Sequence, residues 1–167
     1  HDDGSGHYND DAGTTEWGAD GNITHVDSDG STYTYDEQGS GSCNMPDGTV
    51  VEEGADGAGS VTNPDGSSMT YNPDGSGTFT DPDGGTGAFN ADGSGTYTGT
   101  DGSTGSFNAD GSGSFTDADG GSGNFNSDGS GDYTNPEGIT ESWDGEGNLS
   151  FSDAEGNAID DPYINDP

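Results

Sequence analysis

An acidic residue recurs every nine residues from one end of this chain to the other. The slots are Asp2, Asp11, Asp20, Asp29, Gln38, Asp47, Asp56, Asp65, Asp74, Asp83, Asp92, Asp101, Asp110, Asp119, Asp128, Glu137, Glu146 and Glu155, and among them Gln38 alone is not acidic. From Asp20 onward a Gly follows every slot. A fixed short period requires one small unit repeated many times, so the chain reads as a single repeat array.

A second period lies inside the first. The large residues Tyr71, Phe79, Phe89, Tyr97, Phe107, Phe115, Phe125, Tyr133, Trp143 and Phe151 are separated alternately by eight and ten residues, so the true unit is two nonapeptides. Extended backwards in steps of eighteen, one column holds Val61, Cys43, His25 and His7, and the other Glu53, Tyr35 and Trp17. The array covers residues 1–159, degenerate over 1–60 and most regular over 61–156, and is followed by a non-repeat tail at 160–167.

With no Lys or Arg, 34 acidic residues, 34 Gly and 22% hydrophobic residues, composition alone would place the chain among disordered segments. A register held over the full length argues for order instead. Asn72-Pro73-Asp74-Gly75, Asn90-Ala91-Asp92-Gly93 and Asn135-Pro136-Glu137-Gly138 suit type I turns, with a side-chain acceptor first, a preset φ second and a Gly fourth where φ turns positive. Between turns lie runs such as Ser76-Gly77-Thr78-Phe79-Thr80, in which alternation puts Gly77 and Phe79 on one face and the hydroxyls on the other. The Gly content and the Asp-Gly punctuation exclude helix.

Two all-β architectures satisfy this arithmetic: a β-solenoid of the β-roll type, with two short strands per eighteen-residue coil and about nine coils, and an antiparallel β-meander of nine-residue hairpin units. In both, a ring faces a glycine across the turn, Phe79 opposite Gly87 and Gly77 opposite Phe89. A lone meander leaves its ring face bare to water, whereas the solenoid buries both ring columns, so the solenoid is the expected form. Where a ring slot is polar, the position two earlier is apolar, as at Ile23 beside His25, Val51 beside Glu53 and Ile159 beside Asp161. The inward face is kept filled.

Stacked coils would bring equivalent carboxylates about 4.8 Å apart, with no basic side chain to neutralise them. Asp65, Asp74, Asp81, Asp83, Asp92, Asp101, Asp110, Asp117, Asp119 and Asp128 are accordingly the candidate ligands of Ca²⁺, a cation that takes oxygen-rich turns. His7, His25 and Cys43 share one column and form a candidate Zn²⁺ or Cu site by ligand type. Asp74-Gly75-Ser76-Gly77-Thr78-Phe79 and Asp83-Gly84-Gly85-Thr86-Gly87-Ala88-Phe89 resemble the repeats-in-toxin nonapeptide, Gly-Gly-x-Gly-x-Asp-x-apolar-x. That resemblance implies an extracellular β-roll with eighteen residues per coil and Ca²⁺ in its turns. Gly77 and Gly87 stand where the family has its Asp, so the likeness is one of architecture and not of ligand geometry.

No catalytic pair stands out, because each carboxylate belongs to the period; the chain reads as a non-enzyme. A net charge of -34 excludes nucleic acid and anionic membrane as ordinary partners, and no apolar run is long enough for membrane insertion. The start at His1 without Met, and the sequons at Asn22 and Asn148, point to secretion and candidate glycosylation. Uncapped strand edges should pair end to end. The sequence therefore predicts a secreted structural subunit of an extracellular, cation-stabilised filament, appendage or matrix, polymerising head to tail with its own kind. The alternatives are a monomeric ice- or surface-binding solenoid using Thr78/Thr80 and Thr96/Thr98, and a spacer segment of a large adhesin.

Overall fold

The computed structural model describes residues 3–163 and divides into two compact units, His1–Gly84 and Gly85–Pro167. The first carries β1 (Gly6–Asn9), β2 (Gly13–Trp17), β3 (Ile23–Asp27), β4 (Thr32–Tyr35), β5 (Gly41–Asn44), β6 (Val50–Glu53), β7 (Gly59–Thr62), β8 (Ser68–Tyr71) and β9 (Gly77–Thr80). The second carries β10 (Thr86–Phe89), β11 (Gly95–Thr98), β12 (Thr104–Phe107), β13 (Gly113–Thr116), β14 (Ser122–Phe125), β15 (Gly131–Thr134), β16 (Thr140–Trp143), β17 (Leu149–Ser152) and β18 (Ala158–Ile159). The protein is all-β, and among the described residues no helix occurs.

Within each unit every strand pairs antiparallel with its sequence neighbours, as in Gly95↔Phe107 and Tyr97↔Gly105 between β11 and β12, or Val61↔Met69 between β7 and β8. Of the two architectures the arithmetic allowed, this is the hairpin meander. The stacked coils of the solenoid would instead pair residues eighteen apart in parallel. The local chemistry explains the outcome. Each turn is closed twice, for example by Gly93 N–H donating to Asn90 O at 3.0 Å and Asn90 N–H donating to Ser94 O at 2.7 Å. That is a type I turn followed by a bulged Gly, a hairpin connection that reverses the chain into the adjacent antiparallel strand. Gly93 has φ of 85°, and among the described residues every positive φ falls on a Gly.

The first hairpin departs from the repeat. From β2 onward in the first unit, paired residues follow one register, Thr15↔His25, His25↔Tyr33 and Tyr33↔Cys43. The same rule would set His7 opposite Thr15, yet Tyr8 sits there and His7 faces Glu16. The cause is the turn. Asp11 is followed by Ala12 where later slots have Gly, and Ala resists the left-handed conformation that the bulge demands. The connection closes instead through Asp10 N–H donating to Gly13 O at 3.0 Å, with Asp10 Oδ1 accepting from Ala12 N–H at 2.8 Å. A slip of one residue moves every β1 side chain to the opposite face.

Packing inverts the usual order of core and cover. Among the described residues no side chain is fully buried; the buried positions include Gly77, Gly95, Gly123 and Gly131, while the rings around them are half-buried. Phe107 keeps 36% of its surface and Phe151, the most covered ring, 9%. The ring columns expected to be sealed inside coils thus lie on one face of each unit's sheet, with rings such as Phe107, Phe125 and Trp143 laid over cross-strand glycines. A Cβ at Gly95 would collide with Phe107 Cζ, one at Gly113 with Phe125, and one at Gly131 with Trp143. Glycine here supplies a groove that a ring fills, covering backbone that a single-layer sheet would otherwise leave wet.

Candidate functional site

The nine-residue acidic slot is a turn cap. Asp92 Oδ1 accepts from Ser94 N–H at 2.9 Å and from Ser94 Oγ at 2.7 Å, and Asn90 Nδ2 donates to Ser94 Oγ at 2.9 Å. The same set recurs at Asp74 with Ser76, Asp110 with Ser112 and Asp128 with Ser130. Hydroxyl and amide donors stabilise the ionised carboxylate, so hydrogen bonds from the serine side chain first, then its backbone, hold Asp65, Asp74, Asp92, Asp101, Asp110 and Asp128 below the usual carboxylate range. The signal was present as Asp-Gly-Ser in the sequence.

The carboxylate ladders do not form. In a meander, turns on one edge alternate with turns on the other, so Asp92 and Asp110 are two strands apart, roughly 9.6 Å at the usual spacing, instead of one. Among the described residues no three His, Cys, Asp or Glu side chains converge as a metal cluster. Asp117, placed with Asp119 in one candidate turn, accepts from the Tyr133 hydroxyl at 2.6 Å and from Gly121 N–H at 2.7 Å. Asp83 and Asp101 stand at the third position of their turns, whose fourth-position Gly84 and Gly102 N–H close onto Asp81 O at 3.0 Å and Gly99 O at 3.1 Å.

The His/Cys column also dissolves. His7 is turned to the face opposite His25 by the register slip, and Tyr33 stands between His25 and Cys43. His25 is engaged at both nitrogens, Nδ1 with Thr15 Oγ1 at 2.7 Å and Nε2 with Asp27 Oδ1 at 2.9 Å. The neighbouring Cys43 first, then desolvation and Asp27, push the Tyr33 phenol up. The sequon residues lie in exposed turns, where Asn22 Nδ2 donates to Asp20 at 2.8 Å and Asn148 Nδ2 to Asp144 at 2.7 Å.

The two faces of each sheet differ in chemistry. On one, hydroxyls bond one another across strands: Thr70 with Thr78 at 2.7 Å, Ser106 with Ser114 at 2.8 Å and Thr134 with Thr140 at 2.8 Å. The other carries the rings in two rows. In the second unit, one row reads Phe89, Gly95, Phe107, Gly113, Phe125, Gly131, Trp143 across successive strands, and the other Tyr97, Gly105, Phe115, Gly123, Tyr133. Phe115 and Tyr133 lean together over Gly123 and stack, with ring centroids 5.8 Å apart and planes 6° from parallel.

In the first unit one row keeps the glycines, but the other has lost them. Tyr33, Cys43, Val51, Val61, Met69 and Phe79 follow one another across β4 to β9 without a gap. At about 4.8 Å per strand this is an apolar track roughly 24 Å long, perpendicular to the strands. Sequence reasoning saw Val61 and Cys43 as degenerate ring slots; the pairing register makes them neighbours of Val51 and Met69.

No family model and no curated protein matches this chain. Its fold is similar to solved structures of the TCP10 domain of Danio rerio CPAP: the wild type at TM-score 0.55 and 21% identity, covering 95% of each chain, and the E1021V mutant at TM-score 0.54 and 21% identity, covering 95% of this chain and 94% of that one. The wild-type zebrafish domain has also been solved with a peptide of Danio rerio STIL, a structure that is 22% identical at TM-score 0.43 and covers 93% of this chain and 97% of that one. At these identities the likeness is one of fold.

The likeness corrects the expectation drawn from the repeat alone. A fold of this kind belongs to the TCP10 domain of Danio rerio CPAP, so the repeat architecture does not by itself imply an extracellular fibre. The step from an uncapped repeat to a secreted, extracellular, calcium-binding filament that polymerises head to tail is therefore withdrawn. What the chain shares with the repeats-in-toxin resemblance is an array of short repeated β-strands, and no family model matches it.

Proposed function

We propose that this chain is a non-enzymatic interaction module that holds an extended segment of another protein on its ring-bearing sheet face. The observation that carries the reading is the exposure of that face in each unit: with no fully buried side chain among the described residues, Met69 keeps 45% of its surface in the first unit and Phe107 36% in the second. Exposed aromatic and aliphatic area of this extent marks interaction surfaces. The similar fold of the zebrafish CPAP domain, which takes a STIL peptide, supports the same class of role.

The partner's chemistry follows from the charge. With a net charge of -34 and no Lys or Arg, the turns on both edges of the ring face are carboxylate rims around an apolar strip. A complementary segment is cationic, with apolar residues or prolines that lie flat on rings. Its association is fast at low salt and weakens as salt screens the rims.

Titration of the full chain with a synthetic lysine–proline peptide, followed by NMR at low and physiological salt, tests this. Saturable shifts of Phe, Tyr, Val and Met side chains on the ring face, with weaker affinity at higher salt, are expected. Shifts confined to the hydroxyl face, or no saturable binding at either salt, would overturn the reading.

A further inference from the structure

We infer that Val61, Met69 and Phe79 form an anchor pocket for one large apolar side chain, leucine-like in shape, of a cationic peptide partner. The inference rests on the docking reading above and deepens it, by fixing where on the face the peptide is gripped and what it must carry there.

The three residues are consecutive in the glycine-free row, Val61 opposite Met69 and Met69 opposite Phe79. They line a groove of about 350 Å³, together with Asn63 and Thr80 at its margin. That size lies at the lower end of the roughly 300–1,000 Å³ range of ligand pockets. A second groove of the same unit, at Tyr33, Cys43 and Val51, is smaller, about 170 Å³, and takes Glu53 into its lining. A carboxylate there disfavours an apolar guest. The groove at the β1–β2 end is lined by His7, Glu16 and Asn22, and is polar.

Shape and adaptability agree. Elsewhere in the repeat a glycine accepts the neighbouring ring and closes the gap, as Gly59 accepts Tyr71. At Val61 and Met69 the glycine-and-ring exchange is replaced by two aliphatic side chains of different length. Met69 is 45% exposed, and an unbranched thioether moulds itself to a guest without a fixed shape of its own. The rim supplies the sign of the partner's charge. Asn63 Nδ2 donates to Ser67 Oγ at 3.0 Å, and Ser67 N–H and Oγ donate to Asp65 Oδ1 at 2.9 and 2.7 Å. These bonds fix the carboxylate's orientation and hold Asp65 below the usual carboxylate range, so a Lys or Arg beside the apolar anchor finds a positioned carboxylate beside the pocket.

The test uses the full chain and two fluorescent peptides of alternating lysine and proline, one with a central leucine and one with serine in its place. Burying a leucine side chain is worth enough that the leucine peptide is expected to bind about tenfold more tightly or better. In Met69→Ser the leucine preference should fall to about twofold or less, with the serine peptide's affinity unchanged. Because Met69 is half-exposed the variant keeps its fold, and methyl NMR of the unaltered protein gives a check that needs no variant: the Val61 and Met69 methyls shift with the leucine peptide and not with the serine peptide. Equal affinity for the two peptides, a preference that survives Met69→Ser, or methyl shifts elsewhere on the face would overturn the anchor and leave the docking reading standing. Failure of both peptides to bind would overturn both.

Discussion

The Tyr133 hydroxyl reaches from β15 across β14 to donate to Asp117 Oδ2 at 2.6 Å, in the turn that closes β13. It can do so because Gly121 lies beneath, where a Cβ would collide with the hydroxyl. The bond to the Asp117 carboxylate is the largest cause that pushes the Tyr133 phenol up to about 12 from its ordinary value of 10.0, and it draws Asp117 down. For a phenol raised in the folded state, the stabilisation is complete below the unfolded value near 10 and is lost as pH rises through about 12. Alkaline titration of phenolate absorbance should therefore show one of the seven tyrosines ionising last. In Asp117→Asn that late step should move back toward the bulk of the tyrosines. If the titration curve of the variant matches the parent, the bond does not hold in solution.

The ring-on-glycine packing gives a paired test. A Cβ at Gly113 meets Phe125 Cζ and the Ser106 carbonyl, whereas one at Gly105 finds only Ser114 O, at 3.9 Å. Gly113→Ala should cost about 1–3 kcal/mol through overpacking, and Gly105→Ala should stay within roughly 0.5 kcal/mol of the parent. Phe107→Ala, at a ring 36% exposed, should cost about 1–2 kcal/mol, less than a fully buried ring. Chemical denaturation of the three variants reads the differences. Equal effects at Gly113 and Gly105 would mean that Phe125 does not occupy the first of these glycines.

The turns were legible in the sequence because their chemistry is local: Asn90-Ala91-Asp92-Gly93 specifies a type I turn and a left-handed Gly whatever surrounds it. The pairing of rings with glycines followed from the eight-and-ten spacing. What the spacing could not decide was whether the chain after each turn lies beside the previous strand or stacks above it, since both arrangements place Phe107 near Gly113. The choice went to the meander because this turn is a hairpin turn. Burial misled for the same reason. The argument that rings must be sealed inside favoured coils, and the sheet instead uses rings to seal glycine backbone. The acid period suggests a ligand array because nothing basic faces it, whereas in the fold such carboxylates bond the serine two residues on, as Asp110 does with Ser112.

The turn carboxylates fix the direction of the acid response. Asp74, Asp92, Asp110 and Asp128 are lowered by hydrogen bonds from Ser76, Ser94, Ser112 and Ser130. A depressed carboxylate contributes stability that is complete above its unfolded value of 3.8 and is lost as pH falls through the folded one. Circular-dichroism melts should be nearly flat from neutral pH to about 5, then fall as the turns protonate. In Asp92→Asn, which keeps an acceptor oxygen, the melt at neutral pH should change less than in Asp92→Ala. A melting temperature that rises steadily below pH 4 would mean that relief of charge repulsion outweighs the turn bonds.

The slipped first hairpin can be corrected by one residue. Later turns such as Asp117-Ala118-Asp119-Gly120-Gly121 have Gly at the fourth position, and Gly120 adopts φ of 94°. Ala12 occupies the equivalent place in Asn9-Asp10-Asp11-Ala12-Gly13, and the connection moves one residue on to Gly13. Ala12→Gly gives the segment the paired glycines of the later turn and removes the penalty of roughly 1–2 kcal/mol that an L-residue meets in the left-handed region. Opposing the change is Trp17, which lies over Gly6 in the slipped register and would lose that groove. Tyr8, 60% exposed, has little packing to lose. The turn is expected to prevail, bringing His7 opposite Thr15 and onto the face that carries His25. Cross-strand nuclear Overhauser contacts distinguish the registers, since the parent should show Tyr8 against Thr15 and the variant His7 against Thr15. Persistence of the Tyr8 contact alone would show that the Trp17–Gly6 packing, and not the turn, sets where the first strand lies.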